Sequence, residues 1–293
     1  MTIQKLKEQL YSFLPKNSQI FLKNFYYDYI IFPIYFLKYR FYYGYWDFFD
    51  AIAIETTTYC NLRCEFCPNK KYERGLLKNK KLMDINLFKK IINELSEINY
   101  HGQILLHFYG EPLTDERLPD LVKYTKEKLP NSIIQINTNG FLLTIPLYKE
   151  LIISGVSRFL ITQYSKETPL TIKKFFEYIK KNPSDKIKII YRRLGKDLGL
   201  SNRGGEIKVK KCSDFERPIC LYPNNSIIID YGGNWVLCCN DYHSSIKFGN
   251  LKNEKLLDIW NKPSYKRLRE EIRQRNFKLP ICKRCIGLIQ NTT

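Results

Sequence analysis

Between residues 51 and 192, short apolar runs alternate with amphipathic segments, and that alternation leaves few folds open to the chain. Runs 51–56, 103–109, 133–138, 156–162 and 187–192 read as strands, and 84–98, 116–128, 146–153 and 171–180 as helices. Asp84 stands at an N-cap position, followed by the apolar stripe Leu87, Ile91, Leu95 and Ile98. Strands separated by helices pair in parallel through right-handed crossovers, which predicts an α/β fold, either an open doubly wound sheet or a barrel. Working loops in both lie at the carboxyl ends of the strands. Polar residues collect there: Thr57 and Thr58, Gly110 and Glu111, Asn139 and Gly140, and Gln163.

Two flanking regions break the alternation. In 21–49, sixteen of 29 residues are Phe, Tyr or Trp, interleaved with Lys23, Lys38 and Arg40. Such a segment suits either a strap packed over the main body or a helix lying in a membrane interface, where aromatic rings and snorkelling cations both find their level. From Lys210 onward a hairpin is predicted over 226–237, then short helices over 255–260 and 264–275. The expected layout is an aromatic, basic extension (1–50), a core (51–210) and a smaller module (211–293).

The longest apolar run, nine residues over 29–37, is broken by Pro33 and falls short of the ~20 that a spanning helix needs. No secretory signal pattern opens the chain, so a cytoplasmic protein is expected, with residues 1–50 able to touch the inner face of a membrane. Lys and Arg outnumber Asp and Glu by 48 to 29, a formal charge of +19. The lysines are spread along the whole chain instead of clustered, which argues against a nucleic-acid footprint and leaves either a lysine-rich surface that only solvates the protein or an anionic surface or substrate as partner.

Nine cysteines without a secretory signal point to metal or redox chemistry. They form two groups: Cys60, Cys64 and Cys67; then Cys212, Cys220, Cys238, Cys239, Cys282 and Cys285. Three thiolates in one loop can hold three corners of a cubane cluster and leave one iron open, whereas a zinc loop pairs its cysteines in twos.

The string Cys60-Asn-Leu-Arg-Cys64-Glu-Phe-Cys67 resembles the loop of the radical S-adenosylmethionine (SAM) superfamily, with Phe66 at its aromatic position. Tyr109-Gly110-Glu111-Pro112 is similar to the family's Gly-Glu motif, with Tyr109 in place of the usual first Gly. Thr138-Asn139-Gly140 and Thr162-Gln163 follow the third and fourth strands, at positions that resemble those lining the SAM pocket. The resemblance implies a partial (β/α) barrel, a [4Fe–4S] cluster that reduces SAM, and a 5′-deoxyadenosyl radical that takes hydrogen from substrate. Phe66, Tyr109, Gly110, Glu111, Asn139 and Gln163 would then bind SAM, and a flavodoxin or ferredoxin would supply electrons. Period-two alternation independently puts Leu105, His107 and Tyr109 on one face of the second strand.

Cys220, Gly233, Cys238 and the pair Cys282 and Cys285 resemble the SPASM and twitch auxiliary domains of the same superfamily. The shorter twitch form fits better, and implies one auxiliary [4Fe–4S] cluster on Cys220, Cys238, Cys282 and Cys285; zinc on the same four residues is the competing reading. Cys212 and Cys239 are spare. The segments 106–112, 159–163 and 200–205 resemble the aminocyclitol dehydrogenases within the superfamily. That likeness implies oxidation of a carbinol carbon of a sugar or cyclitol to a ketone, with Arg203 of Ser-Asn-Arg-Gly-Gly at the substrate. Cys239 replaces a substrate-facing Phe of that group, so epimerisation with Cys239 as hydrogen-atom donor is the alternative, and peptide modification a weaker one.

Overall fold

The computed structural model describes residues 15–183, 186–194, 200–209 and 220–289. Cys212 and the 210/211 boundary lie outside them. Eight strands form one sheet in the order β5-β4-β3-β2-β1-β6-β7-β8. They are β1 (Ala51–Ile54), β2 (Gln103–Leu105), β3 (Ile133–Thr138), β4 (Arg158–Gln163), β5 (Lys188–Arg193), β6 (Ser226–Ile229), β7 (Asn234–Val236) and β8 (Lys247–Asn250). The first five pair in parallel, as the alternation requires. This is the partial radical SAM-type barrel expected from the sequence.

The hairpin of the last third does not stand apart. β6 pairs in parallel with β1, Ala51 opposite Ser226 and Ile54 opposite Ile229, and β7 and β8 extend the sheet antiparallel. At the β6–β7 turn Asp230 Oδ1 accepts from the backbone N–H groups of Gly232 and Asn234, both at 2.9 Å, and Gly233 takes φ +85°. A hairpin needs a left-handed position of this kind, which glycine occupies at least cost.

Helices α1 (Lys16–Tyr26) and α2 (Phe32–Tyr43) form the amino-terminal extension, joined through a π-helical turn (Tyr27–Ile31). Cys67 leads into a single turn, α3 (Pro68–Lys71). Helices α4 (Ile85–Glu97), α5 (Leu118–Lys128), α6 (Ile145–Ser154) and α7 (Leu170–Lys181) are the barrel crossovers. Asp84 caps α4, its carboxylate accepting from the N–H groups of Asn86 and Leu87 at 3.0 Å. The helix buries Leu87, Phe88, Ile91, Ile92 and Leu95. Each such side chain contributes roughly 1.5–3 kcal/mol relative to exposure. Beyond the short α8 (Tyr222–Asn225), the chain closes with α9 (Leu256–Asn261), α10 (Pro263–Arg273) and α11 (Pro280–Cys285).

The aromatic extension is two-faced. Phe48 and Phe49 are wholly buried in the main core, and Tyr39 and Phe32 nearly so. Asp28 and Asn24 receive the Arg275 guanidinium at 2.9 and 3.0 Å. Asp47 pairs with the fully buried Arg269 at 2.9 Å, whose guanidinium also lies 3.7 Å from the Trp260 ring centre. Phe21, Tyr29, Ile34, Leu37, Phe41 and Trp46 face outward. The strap is therefore real for its second half, while a row of aromatic and aliphatic side chains remains exposed.

Candidate active site

A cavity of about 510 Å³ runs through the barrel, lined by alternate residues of successive strands. Ala51 and Ala53 come from β1; Gln103 and Leu105 from β2, with His107 just beyond it; Gln135 and Asn137 from β3; Leu160 and Thr162 from β4; Ser226 and Ile228 from β6. At the carboxyl end stand Cys60, Cys64, Phe66 and Cys67, with Tyr109, Gly110, Glu111 and Asn139; Arg203 and Cys239 enter from the later chain. Fourteen of the sequence-derived site residues thus fall on this cavity or on the second one described below.

Gln163 is the exception. It directly follows the inward-facing Thr162, so its side chain points to the opposite face of β4, where it donates to the carbonyls of Ser165 and Lys166 and accepts from Thr168 and Tyr191. In this structure Gln163 braces the loop that follows β4, and Thr162 holds the cavity position.

Gly110 cannot carry a side chain, because a Cβ there would lie 2.0 Å from the Thr57 carbonyl oxygen. That close approach fixes the next residue. The Glu111 carboxylate is buried and accepts from Thr138 Oγ1 at 2.7 Å, Asn139 N at 2.9 Å and Leu113 N at 3.2 Å. Burial pushes its pKa up to about 7 against those three donors. It is a preorganised acceptor for a cationic group.

The cysteine loop is held from below. Cys60 N donates to the Gly75 carbonyl at 3.2 Å, and Arg74, one residue away, pairs with the buried Glu55 at 2.6 Å. Burial pushes the Cys60 thiol up to about 12 and Cys64 up to about 11, with the neighbouring thiols adding to both. Backbone N–H groups of Leu62 and Asn69 point at the sulfurs of Cys60 and Cys67. Metal binding must displace those protons, and the N–H donors suit the thiolates that remain.

A second cavity of about 480 Å³ is bounded by Cys220, Cys238, Cys282 and Cys285, with Lys23 and Tyr27 of the extension on its wall. Asn240 donates from its backbone to Cys238 Sγ at 3.4 Å and from Nδ2 to Cys285 Sγ at 3.2 Å. Among the described residues no three His, Cys, Asp or Glu side chains are grouped as a single metal ion requires. Four cysteines around one cavity, with N–H donors at Cys238 and Cys285, suit thiolate ligation of an iron–sulfur cluster.

The cavities share a wall. Tyr222 and Ser226 line both, and consecutive residues face opposite sides, Cys238 the second and Cys239 the first. Arg203 has a left-handed φ of +51°, followed by Gly204 at +66° and Gly205 at +103°. A non-glycine residue holds that conformation at a cost, which neighbours must offset. Here Asn202 Nδ2 donates to the Arg284 carbonyl at 2.8 Å and Arg284 Nε to the Gly204 carbonyl at 3.1 Å. The loop presenting Arg203 is thereby tied to the helix that carries Cys282 and Cys285.

Residues 54–190 match the radical SAM superfamily, and residues 220–286 match the SPASM iron–sulfur cluster-binding domain. The chain is 31 % identical over 240 residues to the S-adenosyl-L-methionine-dependent 2-deoxy-scyllo-inosamine dehydrogenase of Niallia circulans, covering 81 % of this chain and 92 % of that one. The chain belongs to the radical SAM superfamily. The crystal structure of BtrN in complex with AdoMet and 2-DOIA superimposes with a TM-score of 0.70 at 29 % identity, covering 83 % of this chain and 95 % of that one. A second BtrN structure, in an open conformation, gives 0.62 at 26 % identity, over 83 % and 94 %. A radical SAM domain carries a [4Fe–4S] cluster and SAM, and a SPASM domain binds auxiliary iron–sulfur clusters.

The middle of the barrel adds polar residues to the cavity beyond those of the motifs. His107 shares the Tyr109 face of its strand, and Gln103, Gln135 and Asn137 stand beside it. All four line the cavity. Their signal was legible: polar residues at every second position of otherwise apolar strands.

Proposed function

We propose that this chain is a radical SAM dehydrogenase that oxidises a secondary alcohol of a polyhydroxylated ring, a sugar or cyclitol, to a ketone. Cys60, Cys64 and Cys67 would hold the SAM-binding cluster, and Cys220, Cys238, Cys282 and Cys285 a single auxiliary one. When bound, these groups supply hydrogen-atom abstraction at carbon and a sink for one electron. Glu111 takes the SAM amino group on a carboxylate already fixed by three donors, with Phe66, Tyr109, Gly110 and Asn139 around it. Arg203 would present its guanidinium to the alcohol oxygen and stabilise negative charge that develops there. The barrel wall excludes water and holds the ring in place.

The shared wall carries this reading. Oxidation requires an electron to leave the substrate, and the Cys238–Cys239 step connects the substrate cavity to the auxiliary one through a single peptide bond. Anaerobic incubation with SAM, reductant and a cyclitol panel should yield ketone and 5′-deoxyadenosine in equal amounts. The Cys220→Ala variant should keep SAM cleavage and lose the ketone; ketone formation undiminished in that variant would refute the assignment.

Epimerisation remains the second reading because Cys239 lines the substrate cavity, and Tyr109 Oη donates to its carbonyl at 2.9 Å. Its thiol would then pass a hydrogen atom to the carbon radical. In D2O this puts deuterium on the inverted carbon of a product of unchanged redox level, whereas oxidation leaves none there.

The layout 1–50, 51–210 and 211–293 describes the division of labour we favour, with a flavodoxin- or ferredoxin-type protein as electron donor. Among the described residues no helix is long and apolar enough to cross a membrane. The outward row from Phe21 to Trp46, with Lys23, Lys38 and Arg40, supports peripheral contact with an anionic membrane. Co-sedimentation with phosphatidylglycerol vesicles at low salt tests it; full-length protein that stays in the supernatant sinks the idea.

A further inference from the structure

The inner wall of the substrate cavity has a polar order of its own. Gln103 Nε2 donates to Gln135 Oε1 at 2.6 Å, Gln135 Nε2 to Asn137 Oδ1 at 2.5 Å, and Asn137 Nδ2 faces His107 Nε2 at 3.2 Å. Because an amide NH2 only donates, His107 Nε2 is the acceptor and its proton sits on Nδ1. Burial holds the imidazole pKa down near 4, so the ring adds no charge. Arg158 Nη1 joins the chain at Gln135 Oε1, 3.3 Å away.

Two shortages define this wall. Glu111 is the one carboxylate among the described residues that line the cavity, and on the reading above it is taken by the amino group of SAM. The cavity also has two guanidinium groups, Arg192 and Arg203, and a third, Arg158, stands behind Gln135. The second shortage is of acceptors. His107 Nδ1 and Arg203 Nε, on two residues that line the cavity, are buried without hydrogen-bond partners, and on the tautomer above both are N–H donors. Buried polar groups in native proteins are paired, and orphans at a cavity mark what a ligand completes. Hydroxyl and carbonyl oxygens can accept these protons. An ammonium group cannot, since it only donates, and here it would meet guanidinium groups with no counter-charge.

We propose that the substrate is an oxygen-rich ring without an amino group, whose hydroxyls complete the Gln103–Gln135–Asn137–His107 wall. This rests on the dehydrogenase reading above and narrows it, since the relative from Niallia circulans is named for an amino-bearing cyclitol.

The test uses a matched pair: 2-deoxy-scyllo-inosamine and the same cyclitol with hydroxyl in place of the amine. Equilibrium dialysis against anaerobically reconstituted, SAM-loaded enzyme measures binding without turnover, so it stands apart from any assay for the ketone. The hydroxyl compound should bind at least about tenfold more tightly, the cost of an unmatched charge and unfilled donors in a closed site. Asn137→Asp, nearly the same in size, adds one negative charge to the wall and should shift the preference towards the amine by about the same factor. Equal or tighter binding of the amine by the unaltered enzyme would overturn the proposal, as would failure of the hydroxyl compound to bind at millimolar concentration. Ketone formation from a non-amino ring with no such preference in dialysis would spare the dehydrogenase reading and reject this one.

Discussion

The two cysteine sites are built in opposite ways. Cys60, Cys64 and Cys67 fall within eight consecutive residues on one loop after β1, so local chain geometry suffices to gather them. Cys220, Cys238, Cys282 and Cys285 come from three places: the entry to α8, the end of the β6–β7 hairpin, and α11. Only the tertiary fold brings these together. The first site should therefore tolerate disturbance elsewhere, whereas the second should report on the packing of the whole carboxyl-terminal third.

The largest effect comes from emptying each site in turn. Cys64→Ala should reduce 5′-deoxyadenosine formation to background while leaving the melting temperature nearly unchanged. Cys282→Ala should retain SAM cleavage, lose ketone formation and also lower thermal stability. Iron content should fall by about half in both, for one cluster of two. Equal destabilisation by the two substitutions would erase the contrast between the sites.

Asp47→Ala comes next, and strikes the second site from below. Arg269, on α10, is fully buried with Asp47 as its carboxylate partner. Removing one member of a buried pair leaves the other charge uncompensated, at a cost of about 3–5 kcal/mol. Chemical denaturation of the anaerobic holoprotein should show that loss, with SAM binding preserved in whatever fraction stays folded. A loss under about 1 kcal/mol would mean that Trp260 and Tyr265, whose rings flank the guanidinium, suffice without the carboxylate.

Glu55 joins the two regions, since its Oε2 takes Arg74 Nη2 from the cysteine-loop side and Tyr231 N from the β6–β7 turn. Burial raises its pKa to about 7 from an ordinary 4.5, against the opposing effects of Arg74 and two backbone donors. The folded state therefore binds a proton more tightly than the unfolded one. This group's contribution to stability is greatest below about pH 4.5, declines as pH rises to about 7, and is level beyond. The decline is on the order of 3 kcal/mol. Glu55→Gln should flatten that part of the stability profile, and a slope unchanged in the variant would remove Glu55 as its cause.

The smallest effect belongs to Asp84→Ala, which removes two hydrogen bonds at the start of α4. About 1 kcal/mol of stability should go, with both clusters and SAM cleavage intact. Loss of the cysteine-loop cluster in this variant would show that the first site leans on its neighbours after all.

The same local-versus-distant contrast governs what the sequence disclosed. The barrel strands, the Asp84 cap and the cysteine loop were legible because each is written in consecutive residues with a fixed period. The side taken by Gln163 was not legible, because a strand changes face at every residue and a motif position alone does not say which face it takes. The partnership of β6 with β1 was invisible: it joins segments about 175 residues apart, and nothing in either strand names the other. The Glu55–Arg74 and Asp47–Arg269 pairs were hidden for the same reason. The polar wall from Gln103 to His107 lay in between. Its alternation could be read in each strand, but the hydrogen-bonded chain crosses from β2 to β3, and only the register of that pairing creates it.

The β1–β6 ladder also bears on motion. The sheet has two free edges, β5 and β8, and the partition between the chambers hangs from its middle, where β6 is hydrogen-bonded to β1 on one side and β7 on the other. On the dehydrogenase reading, the separation between the two chambers is set by covalent bonds and a fixed ladder. A substitution at either sheet margin should therefore leave that separation unchanged.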